Sequence, residues 1–282
     1  MKVGLVLEGG AMRGLYTAGV LDVMLDNSVK IDGIIGTSAG ALFGVNYFSK
    51  QRGRVIRYNK RFCNDKRNIS LRSFITTGNI INKDFAFYEV PYKLDIFDDE
   101  EYIKNNTGYL ATVTNVETGE AEYLTVDSVF KDMEVLRASS AIPLLSKIVK
   151  IDGKKYLDGG IGDSIPVEKM LELGYDKVIV ILTQPLGYKK EALSKKKESI
   201  VKLKYRKYPK FVKAMIDRHK RYNECLENIE RLEKDNKIFV IRPEEKLNIN
   251  VMERDKEELQ KIYDLGVKIA NERIEILKEY IR

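Results

Sequence analysis

The chain is poor in the residues that build disulfide-bonded or zinc-binding proteins. Its 282 residues include two cysteines, Cys63 and Cys225, and a single histidine, His219. The cysteines lie far apart in the sequence and lack the spacing of metal ligands, so the sequence predicts neither a disulfide framework nor a zinc site. Any chemistry that needs an imidazole would have to use His219.

The sequence also lacks a hydrophobic run that would suit a signal peptide or a membrane span. Glu8 follows the short apolar N-terminus before the core of a signal peptide could form. Residues 33–49 carry no charge, but Thr37, Ser38, Asn46 and four glycines make them a better match to a buried strand and helix. We therefore expect a soluble, cytoplasmic protein.

What the chain does contain is a large apolar fraction and an uneven charge. Hydrophobic residues make up 44% of the sequence, enough to bury the core of one large domain, or of one domain with an appendage. The net charge is +7, yet residues 186–221 alone carry 14 Lys or Arg against 3 Asp or Glu. This basic segment is either an amphipathic stretch that contacts anionic lipid headgroups or a solvated helical face. No nucleic-acid-binding motif accompanies it, so we do not expect nucleic acid as a partner.

Apolar patterning predicts an α/β fold with a mostly parallel sheet. Residues 3–7 and 31–35 are typical of buried strands, and each is followed by small or apolar residues at helical spacing. This order implies a right-handed crossover, which places both intervening loops at the carboxyl ends of strands, where open α/β sheets bind ligands. Further strands are predicted at residues 109–116, 121–126, 147–151, 154–157, 178–182 and 238–241, and a long charged amphipathic helix at residues 252–282.

Residues 50–108 are less regular, and we interpret them as a cap over the site. They are rich in aromatic side chains, which either line the site or pack the cap onto the sheet. These aromatic residues are Phe74, Phe85, Phe87, Tyr88, Tyr92 and Phe97.

Ser38 lies in the pattern Gly36-Thr37-Ser38-Ala39-Gly40. Between a buried strand and a helix of small residues, this pattern favours a sharp turn that exposes Ser38 as a nucleophile. Gly36 and Gly40 would avoid steric clashes at such a turn. The alternative is an ordinary strand-to-helix turn in which Ser38 or Thr37 caps the helix.

A glycine-rich loop at residues 9–14 precedes that turn. It follows a strand and opens a helix, as a dinucleotide-binding fingerprint does, but that fingerprint needs a glycine where Ala11 stands. The better interpretation is that the N–H groups of Gly10 and Ala11, helped by the positive end of the next helix, point at an oxygen that becomes negative. A nucleophile beside such donors is what ester hydrolysis requires.

A serine nucleophile also needs a base. A Ser-His-Asp triad would have to use His219, which is flanked by Arg218, Lys220 and Arg221 and which we do not expect to be catalytic. The base is then a carboxylate, and Asp158 stands at the end of a predicted strand before two glycines that permit close backbone approach. The same three residues also fit a simple turn.

Three ordered motifs together resemble the patatin-like phospholipase family. They are residues 9–14, residues 36–40 and Asp158-Gly159-Gly160, and residues 138–143 and 165–167 also match family positions. The resemblance extends over about residues 3–185 and implies a three-layer α/β sandwich with a mostly parallel central sheet. It further implies acyl-ester hydrolysis by a Ser–Asp dyad, with neither a metal nor an organic cofactor. Ser38 would be its nucleophile and Asp158 its base.

The resemblance also implies that Gly9, Gly10 and Ala11 form the oxyanion hole. Ala11 stands where the family usually has a third glycine, and Glu8 stands where many members have aspartate. An alanine still supplies an N–H, so Ala11 bears on the backbone geometry more than on the donors. The supporting positions of the three motifs are Arg13, Gly14, Gly36, Gly40, Gly159 and Gly160.

From these motifs we expect a serine acyl hydrolase that cleaves carboxylic esters of lipids, of phospholipase A or lysophospholipase type. Two alternatives stay open. One is a non-catalytic regulatory protein that docks on membranes through residues 186–221, and the other is an esterase or deacylase for small soluble acyl substrates. We assign residues 1–185 to a catalytic domain with a cap-like insertion at 50–108, and residues 186–282 to a basic helical extension packed on that domain.

Overall fold

An eight-stranded sheet forms the centre of the protein. The structure is a computed structural model that describes the backbone of residues 1–282 and all side chains except those of residues 71 and 72. The strands follow the order β5-β6-β3-β2-β1-β7-β8, with β4 paired to β3. They are β1 (Val3–Leu7), β2 (Gly33–Thr37), β3 (Tyr109–Asn115), β4 (Ala121–Thr125), β5 (Val149–Ile151), β6 (Lys154–Asp158), β7 (Lys177–Ile181) and β8 (Ile238–Ile241).

Five neighbouring strands of this sheet, β3, β2, β1, β7 and β8, run parallel. Strands β4, β5 and β6 add antiparallel pairings at the β3 side. Most residues of the parallel strands are buried, as expected for strands that helices cover on both faces. Each predicted strand is present, with ends that differ from the predicted ones by at most two residues.

Helices cover both faces of the sheet. They are α1 (Gly14–Asp26), α2 (Ala39–Phe48), α3 (Arg54–Phe62), α4 (Leu71–Thr77), α5 (Asp99–Asn105), α6 (Met133–Ser139), α7 (Val167–Glu172), α8 (Lys195–Lys204), α9 (Pro209–Lys234) and α10 (Lys256–Tyr280). Along β1, Leu5 and Leu7 join a core with α1, α2 and α10, whereas Val6 joins a separate core with α7 and α9. This alternation is the period of a strand, and it confirms the predicted three-layer α/β sandwich.

The C-terminal extension is built into the same sheet. Strand β8 pairs in parallel with β7, from Val178 opposite Ile238 to Ile181 opposite Ile241. Helix α10 begins at Lys256, not at residue 252 as predicted, because the side chain of Asp255 accepts a hydrogen bond from the N–H of Glu257 and caps the helix there.

The cap region consists of α3, α4, a π-helix at Asp84–Leu94 and α5. Phe85 packs with Phe62 in a small cluster of its own, whereas Phe87 and Phe97 join the main core. Phe87 and Phe97 therefore hold the cap onto the core, as one interpretation of the sequence predicted, and they also line the cavity described below, as the other predicted. Tyr92 is exposed.

The basic segment contains α8 and the first half of α9. Part of its apolar pattern faces inward, because Val201, Tyr205 and Phe211 are buried in a core with β6. Ile200 and Leu203 are exposed on α8. Among the described residues, none of the helices combines the length and the apolar character needed to cross a bilayer.

Candidate active site

Strands β2 and β6 meet end to end along one edge of β3. Strand β4 pairs with residues 110–114 of β3, so β2 and β6 share the opposite edge. On that edge Thr37 pairs with Thr112, and Asp158 pairs with the next residue of β3, Val113. Because the two strands run in opposite directions, their carboxyl ends face each other. The topology therefore brings Ser38, which follows Thr37, beside Asp158.

Ser38 occupies a sharp turn between β2 and α2. Its backbone has φ 55° and ψ −121°, a conformation that residues other than glycine rarely adopt. Its hydroxyl donates a hydrogen bond of 2.6 Å to Oδ2 of Asp158 and makes none to the end of α2. The N–H of Ser38 donates to the hydroxyl of Ser139 at 2.9 Å. Ser38 is buried and not exposed as the motif predicted, yet its hydroxyl is bonded to the carboxylate that the nucleophile interpretation names, and its side chain does not act as a helix cap.

The glycines around Ser38 permit close packing of backbone. A Cβ on Gly40 would lie 2.5 Å from the carbonyl oxygen of Leu7, at the end of β1. A Cβ on Gly36 would lie 2.7 Å from the backbone of Ala41, across the turn. Both distances are shorter than real Cβ contacts, so the turn that holds Ser38 needs glycine on either side.

Asp158 is buried, and both of its carboxylate oxygens accept hydrogen bonds. Oδ2 accepts from Ser38, and Oδ1 accepts from the N–H of Gly160 at 2.8 Å. Burial raises the pKa of Asp158 above its ordinary value, while the hydrogen bond from Ser38, the charge of Arg218 and the N–H of Gly160 act in the opposite direction. A buried carboxylate whose proton affinity is increased is better suited to accept a proton than an exposed one.

The glycine-rich loop lies directly against Ser38. A Cβ on Gly9 would lie 3.1 Å from Cβ of Ser38 and 3.0 Å from the carbonyl oxygen of Thr37. The N–H of Gly9 donates to the carbonyl of Ser164 at 3.3 Å, so Gly9 serves close approach and its N–H is not free to bind an oxyanion. Of the three residues predicted to donate to an oxyanion, Gly10 and Ala11 are then left.

Gly10 and Ala11 are the other two residues of that loop predicted to donate to an oxyanion. Their N–H groups make no hydrogen bond to any part of the protein that the structure describes. Ala11 has φ 49°, in the left-handed region that glycine prefers. The glycine that the family usually has at this position would adopt the same backbone without the steric penalty that alanine carries.

Glu8, at the root of the loop, is almost fully buried. Its carboxylate accepts hydrogen bonds from the N–H of Thr183 at 2.5 Å and from the hydroxyl of Tyr222 at 2.5 Å. The glutamate thus joins the loop to the end of β7 and to α9 in the C-terminal extension. Burial and the neighbouring Glu8 both raise the pKa of Tyr222.

Arg13 and Gly14 start the helix that follows the loop. A Cβ on Gly14 would lie 2.9 Å from the ring of Phe43 and 3.0 Å from Cβ of Ala39, so glycine lets α1 approach α2 closely. Nε of Arg13 is buried and has no hydrogen-bond partner among the described residues. Gly159 likewise permits close packing, because a Cβ on it would lie 2.1 Å from the carbonyl oxygen of Thr112 in β3.

An apolar cavity of about 180 Å³ opens beside Ser38. Ala11 and Ser38 both line it, so the glycine-rich loop and Ser38 face the same space. The charged lining residue Arg54 is paired with Asp95, with Nε and Oδ1 3.1 Å apart. Such a wall suits an apolar chain. Its apolar residues include Leu42, Phe43, Phe62, Ile80, Phe87, Val90, Phe97, Met133 and Leu136.

Sequence reasoning did not single out Ser139, Arg218 or Tyr222. Ser139 falls within residues 138–143, which match family positions. Arg218 occupies a place in the buried stripe of α9, at helical spacing between Met215 and Tyr222. A charged residue within an apolar stripe is the signal that could have identified Arg218, but the surrounding run of lysine and arginine obscured it.

The ring of His219 does not take part in this geometry. Its Nδ1 lies 2.9 Å from the carbonyl oxygen of Ile216, one turn earlier in α9. For the side chains of residues 1–70 and 73–282, no cluster of three or more His, Cys, Asp or Glu residues is arranged to hold a metal ion.

A family model described as patatin-like phospholipase matches residues 5–171. The chain belongs to the patatin-like phospholipase family. The resemblance that the three motifs indicated is confirmed. A second model, described as a domain of unknown function (DUF6363), matches residues 208–282 of this patatin-like protein, which include most of the C-terminal extension.

Two relatives show how far the patatin-like similarity extends. The uncharacterised protein YjjU of Escherichia coli (strain K12) is 31% identical over 194 residues, which cover 65% of this chain and 52% of that protein. Lysophospholipase NTE1 of Scheffersomyces stipitis is 27% identical over 189 residues, covering 64% of this chain and 11% of that protein. The chain thus spans about half of the bacterial relative and a small part of the fungal one. The crystal structure of VipD from Legionella pneumophila covers 96% of this chain and 67% of its own, at 16% identity and a TM-score of 0.43.

Proposed function

We propose that the protein is a serine acyl hydrolase that cleaves carboxylic ester bonds of lipids, of phospholipase A or lysophospholipase type. The observation that carries the proposal is the hydrogen bond of 2.6 Å from Ser38 to Asp158 at a strained turn beside an apolar cavity. Membership of the patatin-like phospholipase family and the lysophospholipases among the relatives support hydrolysis of ester bonds.

In the first half of the proposed reaction, Oγ of Ser38 attacks the carbonyl carbon of the ester while Asp158 accepts the hydroxyl proton. The carbonyl oxygen becomes negative and is stabilised by the N–H groups of Gly10 and Ala11. When the tetrahedral intermediate collapses, the bond from carbon to the alcohol oxygen breaks. Asp158 returns its proton to that oxygen, and the alcohol leaves an acyl-Ser38.

In the second half, a water molecule attacks the acyl-Ser38 carbonyl and gives one proton to Asp158. The same N–H groups stabilise the second tetrahedral intermediate. The bond from carbon to Oγ of Ser38 then breaks, and Asp158 returns the proton to Oγ. The products are a carboxylic acid and the regenerated serine, so no metal or redox partner is needed to balance the reaction.

The apolar cavity gives the proposed reaction its preference for an acyl chain. It is lined by Ser38 and by side chains of α2, α6 and the cap region, which exclude water from the chain. An esterase for small acyl groups would gain little from this wall. A series of 4-nitrophenyl esters of increasing chain length separates the two functions. For a lipid hydrolase we expect kcat/KM to rise with each added methylene, and for an esterase of small acyl groups we do not.

Turnover of such an ester by matched variants tests the dyad. Ser38→Ala and Asp158→Asn each remove one member of the pair, and we expect turnover to fall to background in both. His219→Ala changes the sole histidine and should keep wild-type activity. Full activity in Asp158→Asn, or loss of activity in His219→Ala with the fold intact, would contradict the Ser–Asp mechanism.

We further propose that the basic segment contacts the surface of an anionic membrane peripherally and so brings the hydrolase to its lipid substrate. On α8, Ile200 and Leu203 are exposed beside several lysines. A helix of this kind binds anionic membranes through charge and a small apolar area. Sedimentation with anionic vesicles should therefore weaken with added salt, and Leu203→Glu should weaken it further. Binding without turnover or labelling of Ser38 would instead favour a regulatory protein.

A further inference from the structure

Helix α9 of the C-terminal extension packs against the turn that follows Asp158, the last residue of β6. A Cβ on Gly160 would lie 3.0 Å from Nη2 of Arg218 and 3.0 Å from Oδ1 of Asp158, so these two atoms are no more than 6.0 Å apart. They form no direct ion pair among the described side chains. An opposite charge at this distance favours the ionised form of a carboxylate. Because Gly160 has no side chain, it lets the two charged groups approach each other to this distance.

Ser164 connects Arg218 to both loops of the site. Nη2 of Arg218 donates to the hydroxyl of Ser164 at 3.3 Å, and that hydroxyl donates to the carbonyl of Gly160 at 2.8 Å. The carbonyl of Ser164 accepts from the N–H of Gly9 at 3.3 Å. Arg218 is therefore held against the turn that follows Asp158 and is connected to the glycine-rich loop.

Arg218 is half-buried as a residue, but its Nε is buried and has no hydrogen-bond partner within the described residues. The charged and titratable groups around it are Asp158 in β6, Tyr222 in α9, and Glu8 and Arg13 at the glycine-rich loop. Lys190, whose Nζ lies 4.3 Å from the ring of Tyr222, borders the same cluster. Burial, with Arg218 and Arg13 nearby, lowers the pKa of Lys190 to about 8.

A guanidinium with a buried nitrogen and no direct carboxylate partner is costly, so its position calls for a compensating interaction. In this site the carboxylate of Asp158 is the compensating charge that lies closest to the reacting serine. The position of Arg218 in the buried stripe of α9 keeps the guanidinium there, because the flanking Met215 and Tyr222 fix the helix against the core.

We propose that Arg218 is a positioning residue that keeps Asp158 ionised as the base for Ser38. The inference rests on the proposed Ser–Asp mechanism, and it gives the C-terminal region matched by a domain of unknown function a part in the active site. The catalytic centre is then assembled from the sheet and from α9 together. Removing the charge at position 218 leaves Asp158 protonated to a higher pH.

The dependence of kcat/KM on pH tests this role, with 4-nitrophenyl butyrate as substrate. The acid side of that profile reports the ionisation of the base in the free enzyme. In Arg218→Gln we expect the acid side to move to higher pH, so activity is lost more strongly in acid than in weak alkali. Arg218→Lys retains a charge and should keep the acid side near its wild-type position, with a lower maximum.

Arg221→Gln is the matched control. Arg221 lies one turn further along α9 and donates to the carbonyls of Ile161 and Ala214, so it supports the same turn without reaching Asp158. Its loss should lower stability and leave the acid side of the profile unchanged. Should Arg218→Gln not fold, Arg218→Met retains the apolar stem and is measured in its place.

The outcomes separate this inference from the proposed function. Activity that depends on Ser38, together with an acid side that moves in Arg218→Gln but not in Arg218→Lys or Arg221→Gln, supports both. Activity that depends on Ser38, with an unmoved acid side in Arg218→Gln, overturns the role of Arg218 and leaves the dyad in place. Activity that persists in Ser38→Ala overturns the dyad itself and the inference with it.

Discussion

At the scale of single residues, the site places a strained backbone and a buried charge side by side. Ser38 has a positive φ, and Asp158 is ionisable in an almost fully buried place. Each feature works against folding, and both lie where the proposed chemistry needs them. Substitutions that remove them should therefore affect activity and stability in opposite directions.

The strain at Ser38 predicts a difference in stability between two variants that lack the hydroxyl. Ser38→Gly and Ser38→Ala both remove the hydroxyl, but only glycine adopts φ 55° without a steric penalty. We expect Ser38→Gly to be more stable than Ser38→Ala by about 1 kcal/mol, measured by urea unfolding. Equal stability, or a more stable alanine variant, would mean that the turn is not strained.

The buried charge of Asp158 predicts a stability that depends on pH. Because burial raises the pKa of Asp158 in the folded state, its contribution to stability is fully present at low pH and is lost as the pH rises through the folded pKa. This rise remains with the attraction of Arg218 included, so Asp158→Asn, which cannot ionise, should melt at a higher temperature than wild type at neutral pH. The difference should shrink as the solution is acidified.

Thermal unfolding of both proteins over a range of pH values checks this sign. Glu122→Gln provides a contrast, since hydrogen bonds from Asn115, Tyr156 and Lys154 outweigh burial and lower the pKa of Glu122. That variant should lose stability at neutral pH. A neutral-pH Tm of Asp158→Asn below that of wild type would contradict the account of Asp158.

At the scale of elements, two helices of distant parts of the chain pack at backbone contact. A Cβ on Gly19 in α1 would lie 2.2 Å from the carbonyl oxygen of Tyr263, and a Cβ on Gly266 in α10 would lie 2.1 Å from that of Tyr16. The two glycines therefore set the distance between α1 and α10. Neither contact follows from helical periodicity, which identifies the apolar face of a helix but not its partner.

This packing predicts the sign of a glycine substitution. In an exposed helix, glycine to alanine stabilises by about 1 kcal/mol. Gly266→Ala should instead destabilise the protein, by about 1 to 3 kcal/mol, because the added methyl group forces the helices apart. Urea unfolding measures the effect, with the exposed Asn271→Ala on α10 as a control that should change little. A stabilised Gly266→Ala would show that α1 and α10 do not meet in this way.

The cap region predicts a change in substrate preference. Ala86 in the π-helix lines the cavity beside Ser38, so Ala86→Phe should shorten the space for an acyl chain. We expect kcat/KM for dodecanoyl esters to fall by roughly tenfold, while acetyl esters change little. Ala192→Phe, on the exposed part of the extension, is the control. Equal losses for short and long esters would mean that the chain does not lie in this cavity.

At the scale of the whole molecule, local patterns predicted the strands and the three motifs, because strand periodicity and turn chemistry act over a few residues. The strand at Val3–Leu7 was predicted with its observed ends. The meeting of β2 and β6 along β3 was not predictable, since it depends on the register of three strands. The hydrogen bond from Arg218 to Ser164 spans 54 positions of the sequence, and the one from Tyr222 to Glu8 spans 214 positions. No local pattern carries information about contacts over such separations.

The same view explains how the extension relates to the rest of the chain. The division we assigned at residue 185 falls between β7 and β8, which are neighbours in one sheet. Tyr222 and Arg218 then reach the two loops of the site from the face opposite α1. The assigned parts differ in charge and in family match, while the sheet and the site include residues of both.

The central claim is that Ser38 is a nucleophile activated by Asp158, and covalent labelling tests it most directly. Intact protein is incubated with a long-chain fluorophosphonate, which forms a stable bond with an activated serine oxygen, and its mass is measured beside that of Ser38→Ala. The account predicts a single adduct on the wild-type protein and none on Ser38→Ala. An unmodified wild-type protein that is demonstrably folded, or an equal adduct on Ser38→Ala, would contradict it.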